Sequence, residues 1–427
     1  MTLEKHNSCY WWNEAPPRPA PIADWSDKTD IAIIGCGFTG LSAAITLARA
    51  GREVVVFEKG LIGEGASTRN GGITSGNIRL SQKQLAKRFG PERAQTFIDE
   101  SVAARADLER FIEENKINCD YQAVGRIVGL IGSFSSQTIE RNHNEFAERY
   151  DIEPRLISRV EIAEYTHSKK YEAGIYRPDI SGIHPAKLLH EMARLAADAG
   201  VKIFSETPVT KIANHKTTFT LTTLQGQVTA QHLISATNAY TDQAQPWLRS
   251  RLIPVISEMI ATEKLGTNRV RALMPKLNMF GESKQLGYYY RPSPDGQRIL
   301  LGGRRMHKQE NFAKKRLLDG LIEIFPELED TKVDAYWRGF VAFPFDQLPK
   351  LAVHKGIIYP SGFCGSGTVW ARWLGQKAAF MILGEAAESA FKNLPMRTLP
   401  LYSGDPWFLP LAMSYYRLRD RLSVSTK

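Results

Sequence analysis

The hydrophobic pattern changes period twice near the start of the chain. Residues 31–34 form the unbroken apolar run Ile-Ala-Ile-Ile, typical of a strand, and residues 41–49 carry small and apolar side chains at helical spacing. The helical pattern stops at Ala50-Gly51, and residues 52–57 are Arg-Glu-Val-Val-Val-Phe. This order predicts a strand, a helix and a second, parallel strand.

The rest of the chain also alternates between the two periods. Helices are predicted over 81–116, with a break at Gly90-Pro91, over 184–200 and over 368–383, and strands over 124–132, 201–204 and 217–227 and in the segments 231–240 and 356–367. Residues 252–346 are strand-like and aromatic, whereas the Gly-rich stretch 63–72 is expected to lack regular structure. Residues 1–27 are expected to form an extended surface arm, anchored by Tyr10-Trp11-Trp12 through packing alone.

Three glycines lie between the first strand and the helix, in the spacing Gly35-x-Gly37-x-x-Gly40. In this setting the first allows a tight turn, the second lets a pyrophosphate approach the backbone, and the third lets helix and strand pack closely. The amides at the helix start then face the phosphates, where the helix dipole favours negative charge. Glu58 ends the second strand, where a carboxylate accepts both ribose hydroxyls of an adenosine. We therefore predict a dinucleotide site.

Length and composition are those of a globular protein with two interleaved domains. The chain has 427 residues, of which 43% are hydrophobic and 23% charged. No apolar stretch is long enough to cross a bilayer and the start lacks the order of a signal peptide, so a cytoplasmic location is expected. Cys9, Cys36, Cys119 and Cys364 have neither disulfide nor zinc-site spacing, which predicts free thiols and no metal site.

The net charge of +10 raises nucleic acid, membrane surfaces and acidic metabolites as partners. The positive residues are dispersed, without a run of five or more and without an RNA-binding signature. The charge therefore indicates a basic enzyme, and no nucleic-acid partner is expected.

Turns rich in glycine and small residues recur later in the chain. Ala236-Thr-Asn-Ala239 ends one predicted strand, Gly362-Phe-Cys-Gly-Ser-Gly367 follows another, and Phe340-Val-Ala-Phe-Pro-Phe-Asp-Gln-Leu-Pro349 lies between them. Together with the first glycine motif, Glu58 and the loop Gly65-Ala-Ser-Thr-Arg-Asn-Gly-Gly72, these segments resemble the amine-oxidising FAD enzymes of the D-amino-acid oxidase superfamily. The resemblance covers nearly the whole chain.

Within this superfamily, Arg69-Asn-Gly-Gly72 and Leu401-Tyr-Ser-Gly-Asp-Pro-Trp-Phe-Leu-Pro410 look most like the gamma-glutamylputrescine oxidase branch. The resemblance implies an α/β (α+β) fold, in which a glutathione-reductase-type, Rossmann-like FAD-binding domain is interleaved with an antiparallel-sheet substrate domain. The implied boundaries are 1–27 for the arm, 28–118, 182–245 and 347–427 for the FAD-binding domain, and 119–181 and 246–346 for the substrate domain.

The resemblance also implies which residues contact the cofactor. The turn Gly365-Ser-Gly367 is expected to cap a helix that points at flavin O2, where a helix end contributes about 0.3 to 2 kcal/mol, and the backbone of Val209 is expected to meet the adenine. The implied FAD contacts are Gly35, Gly37, Phe38, Thr39, Gly40, Glu58, Lys59, Ala66, Ser67, Arg69, Asn70, Gly71, Gly72, Val209, Ala236, Thr237, Asn238, Gly362, Phe363, Gly365, Ser366, Gly367 and Thr368.

The chain also departs from the relatives it resembles. The sarcosine oxidase branch holds FAD through a cysteine near the position of Phe343-Pro-Phe-Asp346, and a related branch uses a histidine where this chain has Arg69-Asn70. Neither attachment residue is present, which predicts non-covalent FAD. The sarcosine branch also has a substrate-carboxylate lysine at the position of Val369 and a histidine at that of Ser366, so a small amino acid held by that lysine is not expected.

The chemistry of amine oxidation sets the remaining expectations. Hydride loss requires the neutral amine, so the pocket must favour deprotonation by burial or by nearby positive charge; no general base is identified. Arginine suits bidentate recognition of a carboxylate or phosphonate, and the substrate or catalytic candidates are Tyr289, Arg291, Arg305 and Arg338. The predicted reaction converts a primary or secondary amine, with an acidic group distant from the nitrogen, to an imine that water hydrolyses to an aldehyde. Oxygen or an electron carrier is the expected acceptor.

Two alternatives stay open. The aromatic tail Trp407-Phe-Leu-Pro-Leu-Ala-Met-Ser-Tyr-Tyr416, followed by Arg417 and Arg419, suits an FAD dehydrogenase that passes electrons to a quinone or carrier at a membrane surface. The net charge alone suits a non-enzymatic flavoprotein or a partner in RNA modification.

Overall fold

The two apolar runs form neighbouring parallel strands, as predicted. The computed structural model describes residues 9–132, 144, 155–306 and 309–425. In it β1 (Lys28–Ile34) pairs in parallel with β2 (Val54–Phe57), and α1 (Phe38–Arg49) connects them. Successive residues of β1 pack into two different apolar clusters, Ile33 with the helices and Ala32 with the opposite face of the sheet. The strand is thus buried on both faces, which explains its unbroken apolar pattern.

These strands belong to the first of two sheets. Its other strands are β6 (Lys202–Phe204), β7 (Lys211–Asn214), β8 (Phe219–Thr222), β9 (Gln227–Ser235), β15 (Lys350–His354) and β16 (Ile357–Ser361). The order of the strands is β15-β16-β9-β1-β2-β6. The strands from β16 to β6 are parallel to one another, and β15 pairs with β16 in the antiparallel direction at the edge. β7 and β8 form an antiparallel pair, and β8 is also antiparallel to β9.

Helices cover one face of this sheet and approach one another closely. α9 (Gly367–Leu383) packs against α1, where a Cβ at Gly375 would lie 2.3 Å from the carbonyl oxygen of Thr39. α4 (Pro91–Glu114) and α5 (Pro185–Asp198) complete the layer. Because β1 and β16 are parallel and each leads into a helix, the N-termini of α1 and α9 lie at the same edge of the sheet.

The second sheet forms the other half of the molecule. Its strands are β3 (Arg126–Leu130), β4 (Arg155–Ile157), β5 (Ala173–Arg177), β10 (Ile253–Thr262), β11 (Met279–Glu282), β12 (Tyr289–Pro292), β13 (Ile299–Arg304) and β14 (Val333–Phe343). The order is β14-β10-β13-β12-β11-β3-β5-β4. The described pairings are antiparallel except that β3 lies parallel to β11, so the predicted antiparallel sheet is corrected at this point. A parallel pair arises here because β3 is not joined to β11 by a hairpin.

The strand-like interpretation of residues 252–346 was wrong in two places. This region contains α7 (Thr267–Leu273) and α8 (Glu310–Ile324). Leu317, Leu321 and Ile324 recur at helical spacing and are fully buried against the second sheet. This helical period is short beside the aromatic strand segments that flank it.

The remaining segments are short. The Gly-rich stretch 63–72 is not free of regular structure, because Ala66–Arg69 forms the one-turn helix α2. The other helices described are α3 (Gln82–Phe89), α6 (Pro246–Arg249) and α10 (Leu409–Ser425), with 3-10 turns at Tyr10–Asn13, Glu161–Glu164, Asn238–Tyr240 and Pro326–Leu328. None of the helices in the described ranges is both long and apolar enough to cross a bilayer.

Candidate functional site

A cavity of about 1450 Å³ runs from the carboxyl edge of the first sheet to the face of the second. Gly35 and Glu58 line it on the first sheet, and Tyr289 and Arg304 line it on the second. Sites for drug-sized ligands measure about 300 to 1000 Å³. This cavity therefore has room for a dinucleotide and a second small molecule.

The glycine motif shapes one end of the cavity. Gly35 has a φ of +102°, which favours glycine, and a Cβ at Gly40 would lie 1.9 Å from the carbonyl oxygen of Gly35. Close packing of helix and strand therefore requires glycine at position 40. A Cβ at Gly37 would lie 2.8 Å from Ser67 Oγ, which accepts a hydrogen bond from the Phe38 amide at 3.0 Å. The helix start thus lies against backbone and a small hydroxyl, a surface suited to a phosphate.

Glu58 lies at the end of β2 and is held by backbone amides. Its carboxylate accepts hydrogen bonds from the amides of Cys36 at 2.9 Å and Gly60 at 3.2 Å. Burial raises the pKa of Glu58, and these amide bonds act in the opposite direction. A carboxylate oxygen has two lone pairs, so capacity for hydroxyl donors remains on the side that lines the cavity.

The loop around α2 forms the middle of the cavity wall. Asn70 closes it, because its amide donates to the Ser67 carbonyl at 2.8 Å while its Oδ1 accepts from the Gly72 amide at 2.8 Å. The Arg69 guanidinium donates to the carbonyls of Glu64 and Arg338, at 2.8 and 3.2 Å. Although Arg69 lines the cavity, it therefore also joins this loop to β14.

The N-terminal arm holds the same loop from outside. Trp11 is fully buried, and its indole donates to the Asn70 carbonyl at 2.8 Å. The Trp12 indole donates to Thr68 Oγ1 at 3.0 Å, and its ring lies 4.3 Å from the Arg69 guanidinium carbon while also lining the cavity. The expectation that these aromatics serve packing alone was therefore incomplete.

The third glycine-rich segment supplies a second helix start. Gly362, with a φ of +72°, donates its amide to the Asn238 side chain at 2.8 Å, which joins the two later turns identified in the sequence. Ser366 precedes α9 and its hydroxyl lies 3.1 Å from that of Ser75. A Cβ at Gly367 would meet nothing closer than 3.7 Å, so this position presents open backbone to the cavity.

The structure places most of the predicted cofactor residues together. The cavity lining includes Gly35, Gly37, Phe38, Thr39, Glu58, Lys59, Ala66, Ser67, Arg69, Asn70, Gly71, Val209, Ala236, Thr237, Asn238, Phe363, Gly365, Ser366, Gly367 and Thr368. Three lie just behind that surface: Gly40, Gly72 and Gly362. Each of these three shapes the backbone of a lining segment rather than the cavity surface itself.

Successive side chains of the strands in the second sheet point to opposite faces of the sheet. On β13 a Cβ at Gly302 would meet the Tyr289 ring, whereas one at Gly303 would meet Tyr288 and Leu317 on the opposite face. Arg304 therefore shares the Tyr289 face and lines the cavity. The Tyr289 hydroxyl lies 3.1 Å from Ser257 Oγ on this same face.

Arg305 and Arg338, two of the predicted substrate residues, belong to the opposite face. Both neighbour the fully buried Glu258, which lies 3.4 Å from Arg305 and directly across the strand pair from Arg338. Tyr336 also donates to this carboxylate, at 2.8 Å. Burial raises the pKa of Glu258, and these hydrogen-bonding and cationic neighbours lower it. Neither arginine lines the cavity, and their side of the sheet packs on α8, so the structure does not place Arg305 or Arg338 at the predicted substrate position.

Arg291, also predicted to contact substrate, lies outside the cavity lining. Its guanidinium donates to the carbonyls of Gly72 at 2.6 Å and Ile183 at 3.0 Å and to the Gln122 side chain at 2.8 Å. A fourth bond reaches the Pro292 carbonyl. With only 1% of its surface exposed, Arg291 is a positioning residue that supports the loop ending at Gly72. Tyr289 is the one predicted substrate residue that lines the cavity.

Residues that were not predicted from the sequence also line the cavity. They include Trp12, Arg79, Tyr240, Ser257, Tyr288 and Arg304. Alternation along β13 identifies Arg304, but Gly302-Gly303 carries no side chains that would set the phase from sequence. Val369, in turn, is fully buried and packs beneath Gly76.

One cluster in the described residues has the spacing of metal ligands: Glu14, Asp120 and His184. The Lys187 ammonium already contacts both carboxylates, at 2.6 and 2.9 Å. A cation of the protein itself therefore balances this cluster, and it carries no argument for a metal.

Comparison with known proteins identifies the family. Residues 30–381 match the family model described as FAD dependent oxidoreductase, DAO. The chain belongs to this family. It is 30% identical to the gamma-glutamylputrescine oxidoreductase of Escherichia coli over 99% of this chain and 100% of that protein. It is 32% identical to the probable oxidoreductase OrdL of Rhizobium meliloti, over 96% and 97% of the two chains.

Solved structures show the same fold. Glycine oxidase from Geobacillus kaustophilus superposes with a TM-score of 0.73 at 20% identity, over 88% of this chain and 99% of that one. The fold predicted for the DAO family and the cofactor FAD are thereby confirmed, and the chain is an FAD-dependent oxidoreductase.

Proposed function

We propose that this member of the DAO family oxidises a primary or secondary amine whose acidic group lies several bonds from the reacting nitrogen. One observation carries the proposal. A single cavity extends from the cradle, which is the surface formed by the glycine motif Gly35–Gly40, Glu58 and the turn before α9, to the face of the second sheet that bears Tyr289 and Arg304. The similarity to gamma-glutamylputrescine oxidoreductase, over both full lengths, supports the same substrate class.

The residues of the cradle fit FAD. The amides after Gly37 suit the pyrophosphate, Glu58 suits the ribose, and the open backbone at Gly367 suits the flavin O2 edge. Bound FAD supplies the hydride acceptor at N5. Among the described residues that line the cavity, Cys364 supplies the one thiol. Burial raises the pKa of this thiol to about 12, and the thiol donates to the Gly362 carbonyl at 3.1 Å. A protonated, bonded thiol is a poor nucleophile, which supports non-covalent attachment.

The wall of the second sheet favours the neutral amine. Arg304 adds positive charge, and the carboxylate of Glu282, which also lines the cavity, is bonded to Lys170 at 2.7 Å. A cationic, poorly hydrated surrounding lowers the pKa of an ammonium group, so the substrate is bound ready to lose hydride from the carbon beside its nitrogen. Solvent water then hydrolyses the released imine to an aldehyde and an amine or ammonia.

Anaerobic reduction of the holoenzyme tests the substrate class. Gamma-glutamylputrescine, omega-amino acids and aminophosphonates are compared with sarcosine and D-alanine by the loss of flavin absorbance. We expect faster bleaching by one of the first group, at rates that rise with pH as the bound amine deprotonates. Faster bleaching by the two short amino acids would refute the proposal, and absence of bleaching by every amine would favour a non-enzymatic role.

A second candidate concerns the electron acceptor. Leu411, Tyr415 and Leu418 are exposed along one side of α10. The exposed Trp407 precedes this helix, and the exposed Arg417 is adjacent to Leu418 in sequence. Such a surface suits an interface with anionic lipid and hence a membrane quinone as acceptor. Sedimentation of the holoenzyme with anionic vesicles, but not with zwitterionic ones, would support this candidate over oxygen.

A further inference from the structure

Two cationic side chains meet over one aromatic ring at the cavity wall. The Arg304 guanidinium carbon lies 4.9 Å from the centre of the Phe343 ring, and that of Arg79 lies 5.6 Å from it. Both arginines line the cavity. Arg304 lies at the end of β13, whereas Arg79 follows the loop Gly65–Gly72 in sequence and donates to the Cys364 carbonyl at 3.3 Å. The pair therefore lies where the second sheet meets the turn before α9.

The surroundings of Arg304 leave its charge unbalanced. None of the ion pairs among the described residues involves this side chain, whereas its neighbours along the chain, Arg298 and Arg305, pair with Asp334 and Glu258. Burial, and secondarily the charge of Arg79, lowers the pKa of Arg304 to about 9. A partly buried cation is costly without a counter-ion, so the position favours an anionic ligand from the cavity.

The chemistry of the two side chains defines that ligand. A guanidinium presents a planar fork that matches the two oxygens of a carboxylate, and the Phe343 ring holds the fork by a cation–π contact. We propose that Arg304, assisted by Arg79, binds the carboxylate at the far end of the amine substrate and so selects acid-bearing amines over neutral ones. This inference rests on the proposed function and replaces Arg291, Arg305 and Arg338 in the substrate role.

Matched substrates test the assignment. Gamma-glutamylputrescine and N-acetylputrescine share the oxidisable aminobutyl group, but only the first carries a carboxylate. In Arg304→Ala we expect kcat/KM for gamma-glutamylputrescine to fall at least about tenfold, mainly through KM, because a charge-assisted contact is lost. The value for N-acetylputrescine should change less than about threefold. Arg304→Lys keeps the positive charge but lacks the planar guanidinium, so it should recover part of the lost kcat/KM. Arg271→Ala, which removes an exposed charge of α7, serves as the control.

Calorimetry separates this inference from the proposed function. Glutarate titrated into the holoenzyme needs no turnover, and its dissociation constant should rise about tenfold in Arg304→Ala but not in Arg271→Ala. If no amine reduces the flavin, the proposed function fails while the glutarate result still decides the anion site. Equal losses for both amines, no loss for either, or glutarate binding that is absent or indifferent to Arg304 would overturn the assignment. FAD content and the melting temperature of each variant show whether it is folded.

Discussion

Replacing Arg291 by methionine distinguishes a positioning residue from a substrate contact. The guanidinium joins β12 to three other segments through the Gly72 and Ile183 carbonyls and the Gln122 side chain. Methionine keeps the apolar stem and removes every donor. The loop that ends at Gly72 then loses its support from the second sheet, whereas the cavity lining itself is unchanged.

The size of the effect follows from opposing contributions. The four hydrogen bonds of Arg291, three of them to other segments, contribute about 1.5 to 3 kcal/mol each because the donor is charged. Two features reduce the loss: the Gly72 carbonyl keeps its bond from the Ile183 amide at 2.9 Å, and the variant no longer buries a cation whose pKa burial lowers to about 10. We expect a net loss of about 2 to 4 kcal/mol, or roughly 2 to 4 °C in melting temperature for a 427-residue chain.

Two measurements check this expectation. Titration of apoprotein with FAD should give a dissociation constant raised about tenfold in Arg291→Met, because binding must then order the loop. At saturating FAD, kcat/KM for the amine should stay within about threefold of wild type. Arg298→Met, which removes bonds to Thr262 and Asp334 far from the loop, should lower stability without changing FAD affinity. Normal FAD affinity with a large loss of kcat/KM would refute the argument and return Arg291 to the substrate site.

Three further outcomes are expected. Acid precipitation should release all the FAD into the supernatant, and yellow colour kept on the pellet would contradict non-covalent binding. Gly37→Val should abolish FAD binding, because its side chain would meet Ser67 and enter the phosphate path; normal FAD content would remove that assignment. Burial lowers the pKa of His184 to about 4 in the folded protein. As the pH falls below about 6.5, the imidazole therefore becomes protonated in the unfolded chain before it does in the folded one. The free energy of unfolding should fall by about 3 kcal/mol between pH 6.5 and pH 4. In His184→Asn, which can still cap the Lys187 amide, melting temperature should fall less over this pH range.

Local sequence patterns were sufficient to predict the part of the candidate site that lies on the first sheet. The glycine spacing, Glu58 and the helix after the turn lie within about one βαβ unit, where each residue's role depends on its immediate neighbours. The later turns were located from their small residues, and the contact between Gly362 and Asn238 joins two of them across the fold. Strong local signals thus predicted the fold class and the glycine-rich segments that line one part of the cavity.

The arginines could not be assigned in this way because their roles depend on strand phase. Arg304 and Arg305 are adjacent, yet one lines the cavity and the other pairs with Glu258 on the far face. Two consecutive glycines precede them, so the sequence offers no apolar side chain from which to set the alternation. The sequence analysis proposed arginine for its bidentate geometry, whereas the sheet shows that Arg304 lines the cavity and that Arg305 does not.

The N-terminal arm shows why part of the candidate site could not be predicted from local sequence patterns. The loop Gly65–Gly72 is held in part by its own side chains, through the bonds of Asn70 to the Ser67 carbonyl and the Gly72 amide, and further restraint comes from outside it. Here the restraint comes from 59 residues away, where the Trp11 indole donates to the Asn70 carbonyl, and from Trp12 beside Arg69. Arg291 restrains the other end of the same loop at Gly72. The precision of the cradle therefore depends on aromatic and cationic donors from outside it, which no motif within the loop could reveal.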